Sequence, residues 1–400
     1  MLGVDRERAA LTAEQRLIGA ILGADWSAQA KRRWDDAQFR GIDWTKLPML
    51  AWQHKARPMV AAALREAGWP VPAEVRATLE ADERACSLKS MQQLKLLTAI
   101  TAAVGERNIR AMALKGAALS LRLYGDPFIR EAYDLDLLVH PADRARFEDL
   151  LRGLGCVPAR DRPALSPRQQ HILDRFHHET RFIHPGNDVV VESHHALTWN
   201  QHLIRTDFEA LWARRSHVTV GTHTLATLGD DDLTYYVGMH GACHGWERWK
   251  WIADLAKLLA SREPTELPTL RERIAAEGNH HLFDSWLILI AAVTGARPPL
   301  FEQAVRNKTA RRLAERALQL SSLPHTPQTV VGPAYYRRLM AYKLGLKRSP
   351  KYLANELLAM LHRDEDWHAM RLPDRLIWLY YLARPYLYLR RRLVPLVRRH

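Results

Sequence analysis

The chain has 400 residues, enough for two or three structural units with their own cores, and its 47% hydrophobic and 26% charged residues match an ordinary soluble globular protein. Three widely spaced cysteines (Cys86, Cys156, Cys243) with no Cys-x-x-Cys pair argue against a disulfide framework or a cysteine-rich zinc site. Lys and Arg outnumber Asp and Glu by 58 to 44, and the resulting net charge of +14 suits an anionic partner: nucleotide, nucleic acid or lipid headgroups.

Met1–Arg8 carries charges where a secretory signal needs an apolar core. The strongest apolar run, Trp286–Val293, is far short of the roughly 20 residues of a membrane crossing. A cytoplasmic location is therefore the expectation. From Leu11 to about Ile109 the pattern is helical, with Leu17, Ile18 and Ile21 at spacings of three and four. Gly68, Pro70 and Pro72 interrupt it, and a long helix follows from Ala73 towards Val104. Ile109–Leu114 reads as a buried strand. Lys115-Gly116 joins it to a helix running from Ala117 to Tyr124, and Gly125-Asp126-Pro127 is turn chemistry. Ala132–Val139 is a second strand, and Pro141-Ala142-Asp143 opens a helix to Leu154. Pro158–Pro167 is expected to be a loop. Thr180–His184 and Val189–His194 flank the turn Pro185-Gly186-Asn187-Asp188 as a hairpin, and His217–Val220 with His223–Ala226 makes another.

Beyond Asp230-Asp231-Asp232, an N-cap cluster, the pattern is helical again. Helices are expected over Leu282–Val293, Thr309–Leu320, Tyr335–Leu346 and from Pro373 to about Ala383. The division expected is a helical region over residues 1–92, a small mixed α/β core over 93–229 and a helical domain over 230–400. The fold class is α+β. The tail gathers Arg384, Arg390, Arg391, Arg392, Arg398 and Arg399 without an acid. Its charge also fits a solvated basic tail, and with Tyr380, Tyr381, Tyr386 and Tyr388 it reads as the last helix of the bundle before weak contact with an anionic membrane surface.

Side chains alternate across a strand, so Asp134 and Asp136 share one face of Ala132–Val139. Paired carboxylates repel unless a cation lies between them or one takes up a proton. Magnesium is the usual solution, since it prefers oxygen ligands and bridges phosphate oxygens. Asp-x-Asp alone also fits an exposed acidic strand at a sheet edge. Glu192 shares a face with His194 on a further strand and could complete a metal site or accept a proton. Lys115-Gly116 lets the backbone approach a phosphate at a helix start.

The ordered set Leu114-Lys115-Gly116-Ala117-Ala118-Leu119, Tyr124-Gly125-Asp126-Pro127, Arg130, Asp134-Leu135-Asp136-Leu137-Leu138-Val139, Val191-Glu192-Ser193-His194 and His240-Gly241-Ala242-Cys243-His244-Gly245-Trp246 resembles the bacterial uncharacterised nucleotidyltransferase family of the DNA polymerase beta superfamily. Trp251–Leu255, Leu372-Pro373 and Leu379–Pro385 extend the resemblance. It implies a small mixed sheet flanked by N-terminal and C-terminal helices. Asp134, Asp136 and Glu192 would hold Mg2+, or Mn2+ in its place, and act as the catalytic acids. The implied reaction transfers a nucleoside monophosphate from an NTP, ATP first among them, and releases pyrophosphate. Lys115, Gly116, Arg130, His194, His240 and His244 are the nucleotide- or substrate-binding candidates. Relatives often sit beside peptide-modification genes, so a ribosomally made peptide is a candidate acceptor. Two positions depart from the wider pattern: Ala117 replaces the usual serine after the glycine, and Tyr133 replaces a small residue.

His240 and His244 are spaced i, i+4, as in zinc-binding helices, but Gly241 stands where the metalloprotease glutamate belongs. The pair is instead expected to face the cleft or to pack in the core, with Asp254 as partner to a nearby cation. Trp246, Trp249 and Trp251 read as packing before base stacking. A catalytically inactive nucleotide-binding or antitoxin-like module, and an RNA-end nucleotidyltransferase, are the competing readings. No RNA-binding motif supports the latter.

Overall fold

A computed structural model describes residues 7–23, 41–159, 166–323, 332–361, 367, 372–384 and 386. Seven strands form one mixed sheet in the order β3-β4-β5-β2-β1-β7-β6. They are β1 (Ala111–Ala113), β2 (Asp134–Val139), β3 (Val157–Pro158), β4 (Glu179–His184), β5 (Val189–His194), β6 (Ser216–Val220) and β7 (His223–Thr227). Both expected hairpins form, as the antiparallel pairs β4–β5 and β6–β7. β2 lies in the middle, parallel to β5 and antiparallel to β1. The α+β class, with helices flanking a central sheet, holds.

The period-two pattern divides the sheet into two faces. Leu135, Leu137, Val139, Phe182, Val189 and Val191 pack in one core with Leu97, Ile100 and Val104 of the helix Ala73–Glu106 and Phe147 and Leu150 of the helix Arg144–Gly153. On the opposite face Met112, Leu138 and Ala226 join a larger helical core. Asp134, Asp136, Glu192 and His194 belong to this second face; Asp134, Glu192 and His194 line a cleft there, and Asp136 is buried.

That larger core draws on both ends of the chain. Leu17 and Ile18 of the helix Ala13–Gly23 are buried in it together with Leu289 and Val293 of the helix His280–Thr294. The two helices meet so closely at Gly19 that a Cβ there would lie 2.1 Å from the Val293 carbonyl oxygen. Among the described residues no helix is long and apolar enough to cross a membrane.

Several local expectations need correction. The helix Asp230–Cys243 begins after Gly229, so Asp230, Asp231 and Asp232 lie in its first turn, where acids complement the helix dipole, and none caps it. The stretch read as a loop over Pro158–Pro167 contains the end of the edge strand β3. It ends at Ser166, whose capping box with Gln169 opens the helix Pro167–Phe176. The helix Pro350–Leu361 lies in the stretch read as helical, where the pattern gives it no bounds of its own. In the tail, a 3-10 turn over Asp374–Leu376 precedes helical residues 379–384, while Arg390, Arg391, Arg392, Arg398 and Arg399 lie outside the described residues.

Candidate active site

The site grows from the join between β1 and the helix Gly116–Tyr124. Lys115 is extended at the helix N-cap, and Gly116 follows at φ +69°. A Cβ on Gly116 would meet the Asp134 carbonyl oxygen at 2.8 Å, so both the backbone angle and the space demand glycine. This turn sends the Lys115 ammonium to within 2.9 Å of Asp136 Oδ1. The same ammonium lies 3.5 Å from His240 Nε2.

Asp136 and Glu192 are direct partners in the parallel register of β2 and β5. His194, two residues beyond Glu192, aims Nε2 at both: 3.1 Å to Asp136 Oδ1 and 3.4 Å to Glu192 Oε2. Burial works against the charge on Asp136, yet the Lys115 ammonium and the His194 imidazole hold its carboxyl below the usual range. Burial likewise opposes the Glu192 charge, but the His194 hydrogen bond brings it down to about 2. His194 itself is raised to about 9, because its bonds to Asp136 and Glu192 outweigh its burial. Two buried atoms of this cluster have no hydrogen-bond partner: Asp136 Oδ2 and His194 Nδ1. Asp134, half-buried at the start of β2, lines the same cleft.

β4 supplies residues that the sequence reading did not reach. Glu179 is the antiparallel partner of His194, and Arg181 that of Glu192. Arg181 Nε donates to Glu179 Oε1 at 2.9 Å and lies 2.8 Å from Glu192 Oε1, and its Nη2 lies 2.8 Å from Glu179. Burial and the neighbouring Glu192 push the Glu179 carboxyl up to about 7. His178, just before β4, lies 3.4 Å from Glu179 Oε2 and is kept neutral by burial and by His194. Counting outward from the Pro185–Asp188 turn pairs His184 with Val189 and hence Glu179 with His194, so this signal was available.

The cleft has a volume of about 360 Å³. Six cations line it, Lys55, Lys115, Arg130, Arg181, Arg248 and Lys250, together with His178, His194, His240, His244, Trp199 and Trp251. The volume is within the range of small-molecule sites. Lys250 donates to the Glu131 carbonyl at 2.9 Å, and burial with Arg130 and Arg248 nearby lowers it to about 7. Lys55 enters from the N-terminal helices at φ +55°, its ammonium 2.8 Å from the Tyr133 hydroxyl and 4.4 Å from that ring's centroid.

The other sequence candidates divide. Lys115, Gly116, His194, His240 and His244 converge on the cleft. His240 stays well below the ordinary histidine range, and His244 falls to about 3, in each case through burial and then Lys115. Their rings lie 4.6 Å apart with Trp251 against both. Neither ring belongs to the three-ligand groups found among the described residues, which are Asp136–Glu192–His194 and His178–Glu179–His194. Arg130 reaches the wall of the cleft, but its guanidinium is buried on Asp254, with Nε and Nη2 each 2.9 Å from carboxylate oxygens. Trp246 and Trp249 are buried in the core, as the packing reading expects.

Residues 40–295 match the model of an uncharacterised nucleotidyltransferase family. No curated protein and no solved structure matches the chain.

Proposed function

The chain belongs to that uncharacterised nucleotidyltransferase family, and on this premise we propose that it transfers a nucleoside monophosphate from an NTP, with ATP as the first candidate, to an acceptor hydroxyl or phosphate. The observation that carries the proposal is the row Asp136–Glu192 on adjacent parallel strands, with Asp136 buried against Lys115 and with Lys115, Asp134 and Glu192 lining a cationic cleft.

The fit of a divalent ion rests on Asp136 Oδ2, a buried carboxylate oxygen with no hydrogen-bond partner beside two further acids. Asp134, Asp136 and Glu192 would hold Mg2+, whose chemistry when bound is Lewis-acid stabilisation of the attacking and leaving oxygens. The protein's own groups do the rest. Lys115 and the first amides of the helix Gly116–Tyr124 face the phosphates, where fixed donors stabilise developing charge. Lys55 and Arg248 add positive charge along the same wall. His194 orients Asp136 and Glu192 through Nε2. The acceptor belongs to the class of small molecules, peptides or proteins, a ribosomally made peptide among them, and the reaction is assigned to the cytoplasm.

Ala117, buried directly after Gly116, supplies no hydroxyl at the first helical turn. That observation favours a second reading, a nucleotide-binding module without turnover. Incubation with α-labelled NTPs, Mg2+ and a fractionated extract as acceptor source separates the two. Transfer of label with release of pyrophosphate, falling at least about 100-fold in Asp136→Asn, is the expected result. Equal labelling by both proteins overturns the proposal, and nucleotide binding without label transfer in the wild type supports the second reading.

A further inference from the structure

His178, Glu179 and His194 place two imidazoles and a carboxylate on one side of the β4–β5 ladder, a strand removed from the Asp134–Asp136 pair. Their ligand atoms all lie within 4.8 Å of one another. Glu179 Oε2 is 3.4 Å from His178 Nε2 and 3.8 Å from His194 Nε2. Ligands about 2.0–2.2 Å from one metal stand roughly 3–3.6 Å apart, so a small rotation of these side chains suffices.

We propose that His178, Glu179 and His194 form a second cation site, selective for a borderline transition ion such as Zn2+ over Mg2+. The selectivity follows from donor type, because imidazole nitrogen suits zinc and its neighbours in the series, whereas magnesium prefers an oxygen set. Three protein ligands leave at least one position open, as in catalytic rather than structural zinc sites. The site opens into the cleft, since all three residues line it, so the open position faces the space where an acceptor enters.

His194 links the two sites. Its Nε2 is the counter-charge of Asp136 and Glu192 in the structure. The same nitrogen lies 3.8 Å from Glu179 Oε2, so it borders both sites. The second site goes beyond the transfer reaction and is read without nucleotide, so it stands or falls independently of it.

Cobalt(II) is the probe, because its visible spectrum and paramagnetic NMR shifts report nitrogen ligation. The metal-stripped full chain is titrated with Co2+ in excess Mg2+, which occupies the carboxylate site. The expected result is one equivalent bound, with two shifted exchangeable imidazole N–H signals; the Nδ1 of His194 is buried and so protected from exchange. His178→Ala should remove one signal and weaken binding at least about tenfold, as removal of even an outer-shell partner does. Glu179→Gln, of the same shape and able to keep hydrogen bonds, should weaken binding similarly with an unchanged circular dichroism spectrum. Asp134→Asn should leave Co2+ binding intact. No binding in excess Mg2+, or binding that His178→Ala and Glu179→Gln leave at the wild-type level, overturns the proposal.

Discussion

Lys115 Nζ lies 2.9 Å from Asp136 Oδ1, and the carboxylate is wholly buried. The lysine therefore neutralises a charge that the fold could not otherwise leave on β2. Removing one partner of a buried pair is costly because the other charge remains, at about 3–5 kcal/mol. His194 also faces Asp136, which keeps the loss at the lower end. Lys115→Met should lose about 3 kcal/mol in urea denaturation. Saturating Mg2+ should restore more stability to this variant than to the wild type, since a ligand at 100 times its Kd contributes about 2.7 kcal/mol. Identical magnesium effects on both proteins would show that the ion does not share the Lys115 position on Asp136.

Gly116→Ala tests the turn that aims this lysine. The positive φ and the 2.8 Å approach to the Asp134 carbonyl both oppose a Cβ. Backbone strain of this kind costs about 1–3 kcal/mol, and relief requires β2 to shift where Asp134 begins it. The variant should lose both thermal stability and label transfer. A variant as stable and active as the wild type would mean that the turn has slack.

Arg130 and Asp254 form a buried pair that joins the strand region to the helix Lys250–Ala260, with the Tyr124 hydroxyl donating to the same carboxylate at 3.1 Å. Arg130→Met and Asp254→Asn should each cost about 3–5 kcal/mol. The pair Arg130→Met with Asp254→Asn should cost less than the sum of the single changes. A double-mutant cycle in chemical denaturation measures this coupling. Additive losses would contradict it, and a raised nucleotide KM with unchanged stability would return Arg130 to nucleotide binding.

Lys250 carries a pH signature. Its folded pKa is depressed from 10.5 to about 7 by burial and by Arg130 and Arg248. Below pH 7 the lysine is charged in both states, and the fold bears the full cost of burying that charge. Between about pH 7 and the unfolded value only the unfolded chain holds the proton, so stability rises with pH across this window. Lys250→Met should lower the slope of unfolding free energy between pH 7.5 and 9.5 by up to about 1.4 kcal/mol per pH unit, one proton's worth. Parallel slopes for the two proteins would refute the assignment.

The parts of the molecule that depend on local pattern were legible in the sequence. Alternation placed Asp134 with Asp136 and Glu192 with His194, and turn chemistry located both hairpins, because one strand or one turn determines each. What stayed hidden depends on pairing across the chain. Lys55 reaches Tyr133 from a separate helical segment, and no spacing encodes that. Arg130 reads as a phosphate ligand until Asp254, 124 positions on, is seen to hold it. Glu179 was missed for a smaller reason: the strand was begun at Thr180, one residue too late. Gly229 was passed over as an N-cap because three aspartates follow it, although they serve the dipole instead.

The contact of Gly19 with Val293 sets a timetable for the growing polypeptide. The helix Ala13–Gly23 can pack on the helices Leu47–Gln53 and Arg57–Ala67 soon after it is made, but the helix His280–Thr294, which meets it at Gly19, is made some 270 residues later. At 5–20 residues per second that interval is on the order of 15–55 s. Throughout it, the part of Ala13–Gly23 that His280–Thr294 covers is exposed to chaperones and to neighbouring nascent chains, and completion of the large core waits for that later helix.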